Sequence, residues 1–282
     1  MKKIAVFGSG TMGNGIAHVF AMNGYQVQLF DKSSEILDRA IIVISKNLDR
    51  QVKKNIISEE QKVITLNNIK TETLISNIDK DTDLVVEAIV ESKSAKTSLY
   101  TDVLSQVSEN TIIASNTSSI SITELAPKQI ADRFIGMHFM NPVPMMELVE
   151  IIKGHLTSES TLNQIIELTK ALGKKPVAVN DYPGFIANRI LMPMINEAIF
   201  SLYENVASAE DIDSVMKLGM NHPMGPLALA DFIGLDVCLN IMEVMYNGFN
   251  DSKYRPCPLL KKMVASGNLG RKTGIGFYKY ST

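Results

Sequence analysis

The feature that most constrains this chain is Gly8-Ser9-Gly10-Thr11-Met12-Gly13, which directly follows the apolar run KIAVF at residues 3–7. A short apolar run that stops at glycine has the pattern of a buried parallel strand. Residues 11–23 then place Ile16, Ala17, Phe20 and Ala21 on one helical face, and residues 25–30 form a second strand after the Asn23-Gly24 turn. Strand, helix and strand within about 30 residues make a βαβ unit. In such a unit Gly8 permits the tight turn, Gly10 lets a pyrophosphate approach the backbone, and Gly13 lets the helix pack on the strand. The helix opening at Thr11 and Met12 turns its positive end toward that pyrophosphate. Asp31, eighteen residues after Gly13, ends the second strand, where a carboxylate accepts hydrogen bonds from an adenosine ribose and repels a 2′-phosphate. The expected cofactor is NAD. The bland alternative is a tight turn that happens to use glycines.

Beyond this unit the periodicity changes. Ile36, Leu37, Ala40, Ile41, Ile44, Leu48 and Val52 recur at helical spacing, and Ser58-Glu59-Glu60-Gln61 is a capping pattern that opens another helix. Two successive helices predict a helical hairpin inserted at about 33–70. Strand-like runs resume at 83–87, 111–114, 133–137, 147–151 and 176–179, with helical segments near 92–107 and 158–172. After Asp181-Tyr182-Pro183-Gly184 the strand pattern stops. Residues 185–246 and 257–267 read as helices, broken at His222-Pro223-Met224-Gly225-Pro226 and near 247–258. The expected fold is an α/β Rossmann-type NAD-binding domain over 1–182 with the helical insert, followed by an all-α domain over 183–282.

Composition narrows the function classes. A net charge of −2 supplies no basic field for nucleic acid or an anionic membrane. No apolar stretch approaches the ~20 residues of a membrane span, and the chain enters its first strand without an apolar leader, so the cytoplasm is the expected compartment. Cys238 and Cys257 lack metal-ligand spacing and are expected to be reduced, inert thiols. No metal is expected.

Several residues carry candidate chemistry. His138 ends the strand near 133–137, and ligands of open α/β sheets bind beyond the carboxyl ends of strands. An imidazole titrating near neutrality suits a base that takes a hydroxyl proton, although a lone histidine is more often structural. Glu150 lies among Leu148, Val149 and Ile151, where a carboxylate needs a partner. Spacing alone leaves open whether His138 and Glu150 touch. Ser115-Asn116-Thr117-Ser118-Ser119 follows another strand and could bind polar ligand atoms, cap the next helix, or do both. Lys46, Arg50, Lys53 and Lys54 line the inserted helix opposite its apolar stripe, as a solvated face or as a site for a phosphorylated handle. His18, His155 and His222 are read as structural.

Taken together, the motifs resemble the L-3-hydroxyacyl-CoA dehydrogenases, most closely the short-chain bacterial 3-hydroxybutyryl-CoA dehydrogenases. The resemblance spans essentially the whole chain: the turn at 8–13 with Gly15, DLVVEAIVE at 83–91, SNTSS at 115–119, MHFMNPVP at 137–144, PGFIANR at 183–189, HPMGP at 222–226 and GRKTGIGFY at 270–278. It implies that His138 is the general acid/base, Glu150 its orienting partner, and Asn188 a substrate-positioning residue, with Ser118 touching both substrate and cofactor. Glu91, Lys96 and Asn141 fall at NAD-contacting positions, and Asn47 and Lys54 at CoA-contacting ones. Position 47 is asparagine where some relatives have serine, a change that keeps hydrogen-bonding capacity. The implied reaction is reversible oxidation of the 3-hydroxyl of a short acyl-CoA by a homodimer joined through its helical domain. Rival readings are other acyl-CoA lengths or hydroxyadipyl-CoA, a sugar-acid 3-dehydrogenase resembling lambda-crystallin, and a non-catalytic NAD-binding protein.

Overall fold

In the computed structural model, which describes residues 1–280, the chain divides into two compact units, Met1–Asp181 and the residues from Tyr182 onward. The first unit is built on one eight-stranded sheet in the order β3-β2-β1-β4-β5-β6-β7-β8. Its strands are β1 (Lys3–Phe7), β2 (Gln26–Phe30), β3 (Ile69–Glu72), β4 (Leu84–Glu87), β5 (Ile112–Ser115), β6 (Phe134–Phe139), β7 (Leu148–Lys153) and β8 (Lys175–Asn180). Neighbours from β3 across to β6 pair in parallel, which is the doubly wound order with its switch point between β1 and β4. β7 then runs antiparallel to β6, and β8 runs parallel to β7. Chain length dictates this reversal. The β6–β7 link spans only residues 140–147, too short for a helical crossover, whereas α6 (Glu159–Ala171) carries the β7–β8 connection.

Helix α1 (Thr11–Met22) returns the chain from β1 to β2, burying Ile16, Val19 and Phe20 against Val6, Leu29 and Val86 of the sheet. A buried phenylalanine such as Phe20 contributes enough that Phe20→Ala would cost about 3–5 kcal/mol. His18 on this helix is fully buried and its Nδ1 has no hydrogen-bond partner. Burial, helped by the charge of Lys174, pushes its pKa down to about 4, so it is neutral. The structural reading of His18 therefore acquires a physical cost: this ring resists protonation.

The insert consists of α2 (Ser34–Lys53) and α3 (Glu59–Asn67). Ser33 caps α2, and Leu37, Ala40, Ile44 and Leu48 form its buried stripe. Ser58 and Gln61 form the expected capping box at α3. The insert returns to the sheet through β3, a strand whose sequence, IKTE, has no apolar run. Among the described residues it pairs only with β2, and Lys70 and Thr71 are exposed. An edge strand buries too little to show a strand pattern. Helices α4 (Lys93–Leu104) and α5 (Ile122–Leu125) complete the unit.

The second unit is helical: α7 (Ala187–Tyr203), α8 (Ala209–Gly219), α9 (Pro226–Ile233), α10 (Leu235–Phe249) and α11 (Pro258–Ala265). Its core gathers Met192, Ile195, Ile199, Leu227, Leu235, Ile241, Met245 and Leu260. Two breaks add to those expected. Asn205 adopts a φ of 58° beyond α7, and Gly234 adopts 105° between α9 and α10. Two buried aspartates explain the HPMGP and GRKTGIGFY segments. Asp213 accepts hydrogen bonds from the Leu227 and Ala228 amides and the Tyr278 hydroxyl, at 2.8, 2.9 and 2.9 Å. Asp231 accepts from the Phe277 and Tyr278 amides, both at 3.0 Å, and the Tyr280 hydroxyl at 2.9 Å. These motifs tie the last residues of the described chain onto α8 and α9. Cys238 and Cys257 are buried and unbridged, and burial pushes the Cys238 thiol up to about 12. No helix among the described residues is long and apolar enough to cross a membrane.

Candidate active site

The carboxyl ends of the parallel strands collect most of the candidate residues of the first unit. At β1 the glycine turn is crowded at two positions and open at one. A Cβ at Gly8 would run into the Ala88 carbonyl, and one at Gly13 would collide with the Gly8 carbonyl oxygen. A Cβ at Gly10 would meet nothing within 4 Å. Gly8 and Gly13 are thus required by the turn itself, while Gly10 borders open space at the N-terminus of α1. Gly10 provides no side-chain cap for that helix, and its first turn holds no acidic residue. Its amides and its positive end are therefore suited to a diphosphate. Beside the turn lies a cleft of about 670 Å³ lined by Phe7, Gly8, Gly10, Phe30, Asp31 and Val90, among others. Asp31 Oδ2 accepts from the Ser9 amide and hydroxyl, both at 2.7 Å, which fixes the carboxylate at the edge of this cleft. These residues fit a dinucleotide. Thr11 is exposed and Met12 half-buried at the helix start.

At β4 and β5 a network appears that sequence reasoning missed. Glu87, the last residue of β4, is fully buried and receives four donors. They are the Ile89 amide at 2.8 Å, Lys96 Nζ at 2.6 Å, and the hydroxyls of Tyr100 and Ser115, each at 2.7 Å. Lys96 also reaches Glu91 Oε2 at 3.2 Å. Glu91 Oε1 in turn accepts from the Thr117 hydroxyl at 2.5 Å, the Ser118 and Ser119 amides at 3.0 and 3.2 Å, and the Ser119 hydroxyl at 3.0 Å. Burial opposes the charge on Glu91, but the Lys96 ammonium and the hydroxyl donors outweigh it and hold the carboxyl below the usual range. The SNTSS turn is therefore shaped mainly by Glu91. Capping of α5 falls to Ser121, outside that motif. Lys96, expected at the cofactor surface, is 1% exposed and committed to two carboxylates. The signal for Glu87 was its place at the end of an otherwise apolar run, LVVE, where an acid must find donors.

At β6 and β7 the antiparallel register sets His138 directly opposite Glu150. His138 Nδ1 and Glu150 Oε2 are 2.8 Å apart, with the side chains 11% and 3% exposed. An ionised carboxylate can only accept, so Nδ1 carries the hydrogen, and in the neutral ring the lone pair then lies on Nε2. The Asn116 side chain accepts from the Phe139 amide at 3.0 Å, which joins the SNTSS turn to the strand that carries His138. Past β6 the chain enters a proline-rich loop held by Lys174, whose ammonium donates to the carbonyls of Val143 and Met146, both at 2.7 Å. Asn141 is exposed at the start of that loop.

The remaining candidates belong to other elements. Asn47 and Lys54 lie on and just after α2, with Asn47 accepting from Arg50 at 3.3 Å and Lys54 exposed. Asn188 belongs to the second unit, where it is buried in the first turn of α7. Among the described residues, no group of three or more His, Cys, Asp or Glu is placed to hold a metal.

Comparison with known proteins agrees with this architecture. A family model described as 3-hydroxyacyl-CoA dehydrogenase, NAD binding domain, matches residues 3–182, and one described as its C-terminal domain matches residues 184–280. The 3-hydroxybutyryl-CoA dehydrogenase of Bradyrhizobium diazoefficiens is 51% identical over 281 residues, which cover 99% of this chain and 96% of that protein. The human mitochondrial hydroxyacyl-coenzyme A dehydrogenase is 44% identical over 288 residues, covering 99% and 91%. The crystal structure of (S)-3-hydroxybutyryl-CoA dehydrogenase from Ralstonia eutropha superposes with a TM-score of 0.96 at 49% identity, covering 100% of both chains. With both family models matched in order and relatives this similar along nearly its whole length, the chain belongs to the 3-hydroxyacyl-CoA dehydrogenase family.

Proposed function

We propose that this NAD-dependent oxidoreductase catalyses the reversible oxidation of a short-chain (S)-3-hydroxyacyl-CoA, with 3-hydroxybutyryl-CoA giving acetoacetyl-CoA. The observation that carries the reading is the buried His138–Glu150 pair at the end of the sheet that also bears the glycine turn. In the oxidative direction Nε2 of His138 takes the proton of the 3-hydroxyl. Glu150 holds the required tautomer and stabilises the imidazolium that forms. NAD, when bound, accepts the hydride from C3. Ser118 and Asn188 position the reacting oxygen and the thioester carbonyl, restricting the substrate to reactive orientations. In the reductive direction the same imidazole donates the proton.

The cofactor is held by Gly8, Gly10, Thr11, Met12 and Gly13 at its pyrophosphate and by Asp31 at its adenosine ribose. Glu91, Ser118 and Asn141 serve its other half. The burial of Lys96 supports a role through Glu91 rather than by direct contact. Asn47 and Lys54 hold the CoA handle along the insert.

We further assign a homodimer formed by the helical unit. Ile190, Val206, Val215, Leu218 and Met220 of that unit are each at least 60% exposed. An apolar groove of about 430 Å³ lies beside α7 and α8, lined by Met194, Val206, Ile212 and Val215 among others. Sedimentation as a monomer at micromolar concentration would contradict the dimer. The two unbridged cysteines fit a reducing compartment, the cytoplasm. The similarity to 3-hydroxybutyryl-CoA dehydrogenases supports a role in fatty-acid or butyrate metabolism. The functional test is NADH oxidation with acetoacetyl-CoA, longer 3-ketoacyl-CoAs and a 3-keto sugar acid. The proposal expects the fastest turnover with acetoacetyl-CoA, and no turnover of any acyl-CoA would overturn it.

A further inference from the structure

We propose that Glu87, Lys96 and Glu91 form a fixed anionic cluster that makes the site favour NAD⁺ over NADH, with the buried Glu87 as its positioning residue. The inference rests on the NAD-dehydrogenase reading above. Two carboxylates against one ammonium leave one negative charge. Glu87 and the Lys96 ammonium are buried at 0% and 1% side-chain exposure, while the Glu91 side chain is 30% exposed. Glu87 alone balances Lys96, so the uncompensated charge is displayed on the Glu91 carboxylate.

The position of that charge follows from the topology. A doubly wound sheet binds the two halves of a dinucleotide on either side of the switch between β1 and β4. Asp31 marks the adenosine side, at the end of β2. The nicotinamide half therefore belongs over the ends of β4 and β5, where Glu91 grips residues 117–119. Oxidised nicotinamide carries one positive charge and the reduced ring none. A carboxylate on this side attracts only the oxidised form.

The arrangement complements the catalytic pair. Substrate oxidation moves one positive charge from the nicotinamide to His138. Glu150, 2.8 Å from the imidazole, stabilises that charge after the step, and Glu91 stabilises it before. The cluster thus sets the oxidation balance of the bound cofactor without touching the reacting atoms.

Glu87→Gln preserves size and one of the two acceptor oxygens but brings the cluster to neutrality. A unit charge acting over ~10 Å at an effective dielectric of ~20–40 corresponds to about a 4- to 16-fold change in binding. The experiment is fluorescence titration of NADH, with NAD⁺ affinity measured by displacement, on wild type, Glu87→Gln and Glu87→Asp. The ratio of the NAD⁺ Kd to the NADH Kd should rise by about 4- to 16-fold in Glu87→Gln. It should stay at the wild-type value in Glu87→Asp, which keeps the charge, even if both affinities fall. If Glu87→Gln does not fold, Glu91→Gln read in the same way should raise the ratio. An unchanged ratio in the neutral variant, with both affinities weakened equally, would reduce the cluster to a scaffold and overturn the proposal. Failure of the dehydrogenase reading would look different: wild type would bind the nucleotides yet reduce no 3-ketoacyl-CoA.

Discussion

The glycine turn at β1 and the His138–Glu150 pair at β6 and β7 lie on the same sheet but are specified in opposite ways. The turn is local. Its six residues are contiguous, and Gly13 is demanded by the Gly8 carbonyl within the turn itself, while the Ala88 carbonyl, after β4, crowds Gly8 from outside. The pair is non-local. It exists because eight linking residues force β7 to reverse direction, which brings two positions twelve apart into register. A binding element can thus be encoded in a short segment, whereas the proposed acid/base element depends on the sheet around it. Perturbations should therefore act differently at the two ends.

The largest effect is expected at the pair. His138→Gln should lower turnover by about 10²-fold or more, the scale of general acid–base catalysis, while NADH affinity stays near wild type. Steady-state assay beside NADH titration checks this, and a parallel loss of binding would erase the contrast between the ends. Glu150→Gln should cost roughly 10- to 100-fold and displace the pH–rate profile, because the amide no longer enforces one tautomer. A silent variant would make Glu150 structural.

Perturbing the βαβ unit that carries the turn should affect folding and selectivity instead. His18 has a folded pKa of about 4 against an ordinary 6.5, so its stabilising effect is complete above pH 6.5 and is lost as pH falls toward 4. At pH 5 the unfolded chain is protonated at this site and the native one is not. The loss is about 2 kcal/mol there. Chemical denaturation at pH 7 and pH 5 should show that loss in wild type, and His18→Gln should remove this pH-dependent part. An identical pH dependence in the variant would mean that the ring is not the group responsible. The smallest effect belongs to Asp31→Ala, which should shift the preference of NAD over NADP by about 10-fold. An unaltered ratio would place ribose recognition elsewhere.

The same division explains what could be read in advance. The Rossmann-type fold class, the insert and its Ser58 capping box were legible because periodicity and capping are short-range signals. The all-helical second unit was legible for the same reason, but the breaks at Asn205 and Gly234 were not, since each rests on one backbone angle. Strand β3 escaped notice because an exposed edge carries no hydrophobic alternation. His138 and Glu150 were each visible as candidates, but not their contact. The shortness of the 140–147 link was the overlooked clue, since no parallel crossover fits within it. Glu87 was hidden for a different reason. Of its four donors only the Ile89 amide is local, and the others come from α4 and from β5.

The central claim is that His138 and Glu150 act as one unit. It is tested most directly by a double-mutant cycle, with turnover of acetoacetyl-CoA and NADH measured for His138→Gln, Glu150→Gln and the double variant. If Glu150 acts only through the imidazole, the double variant should be no slower than His138→Gln alone. A double variant slowed by the product of the two single effects would show two independent contributions and contradict the account.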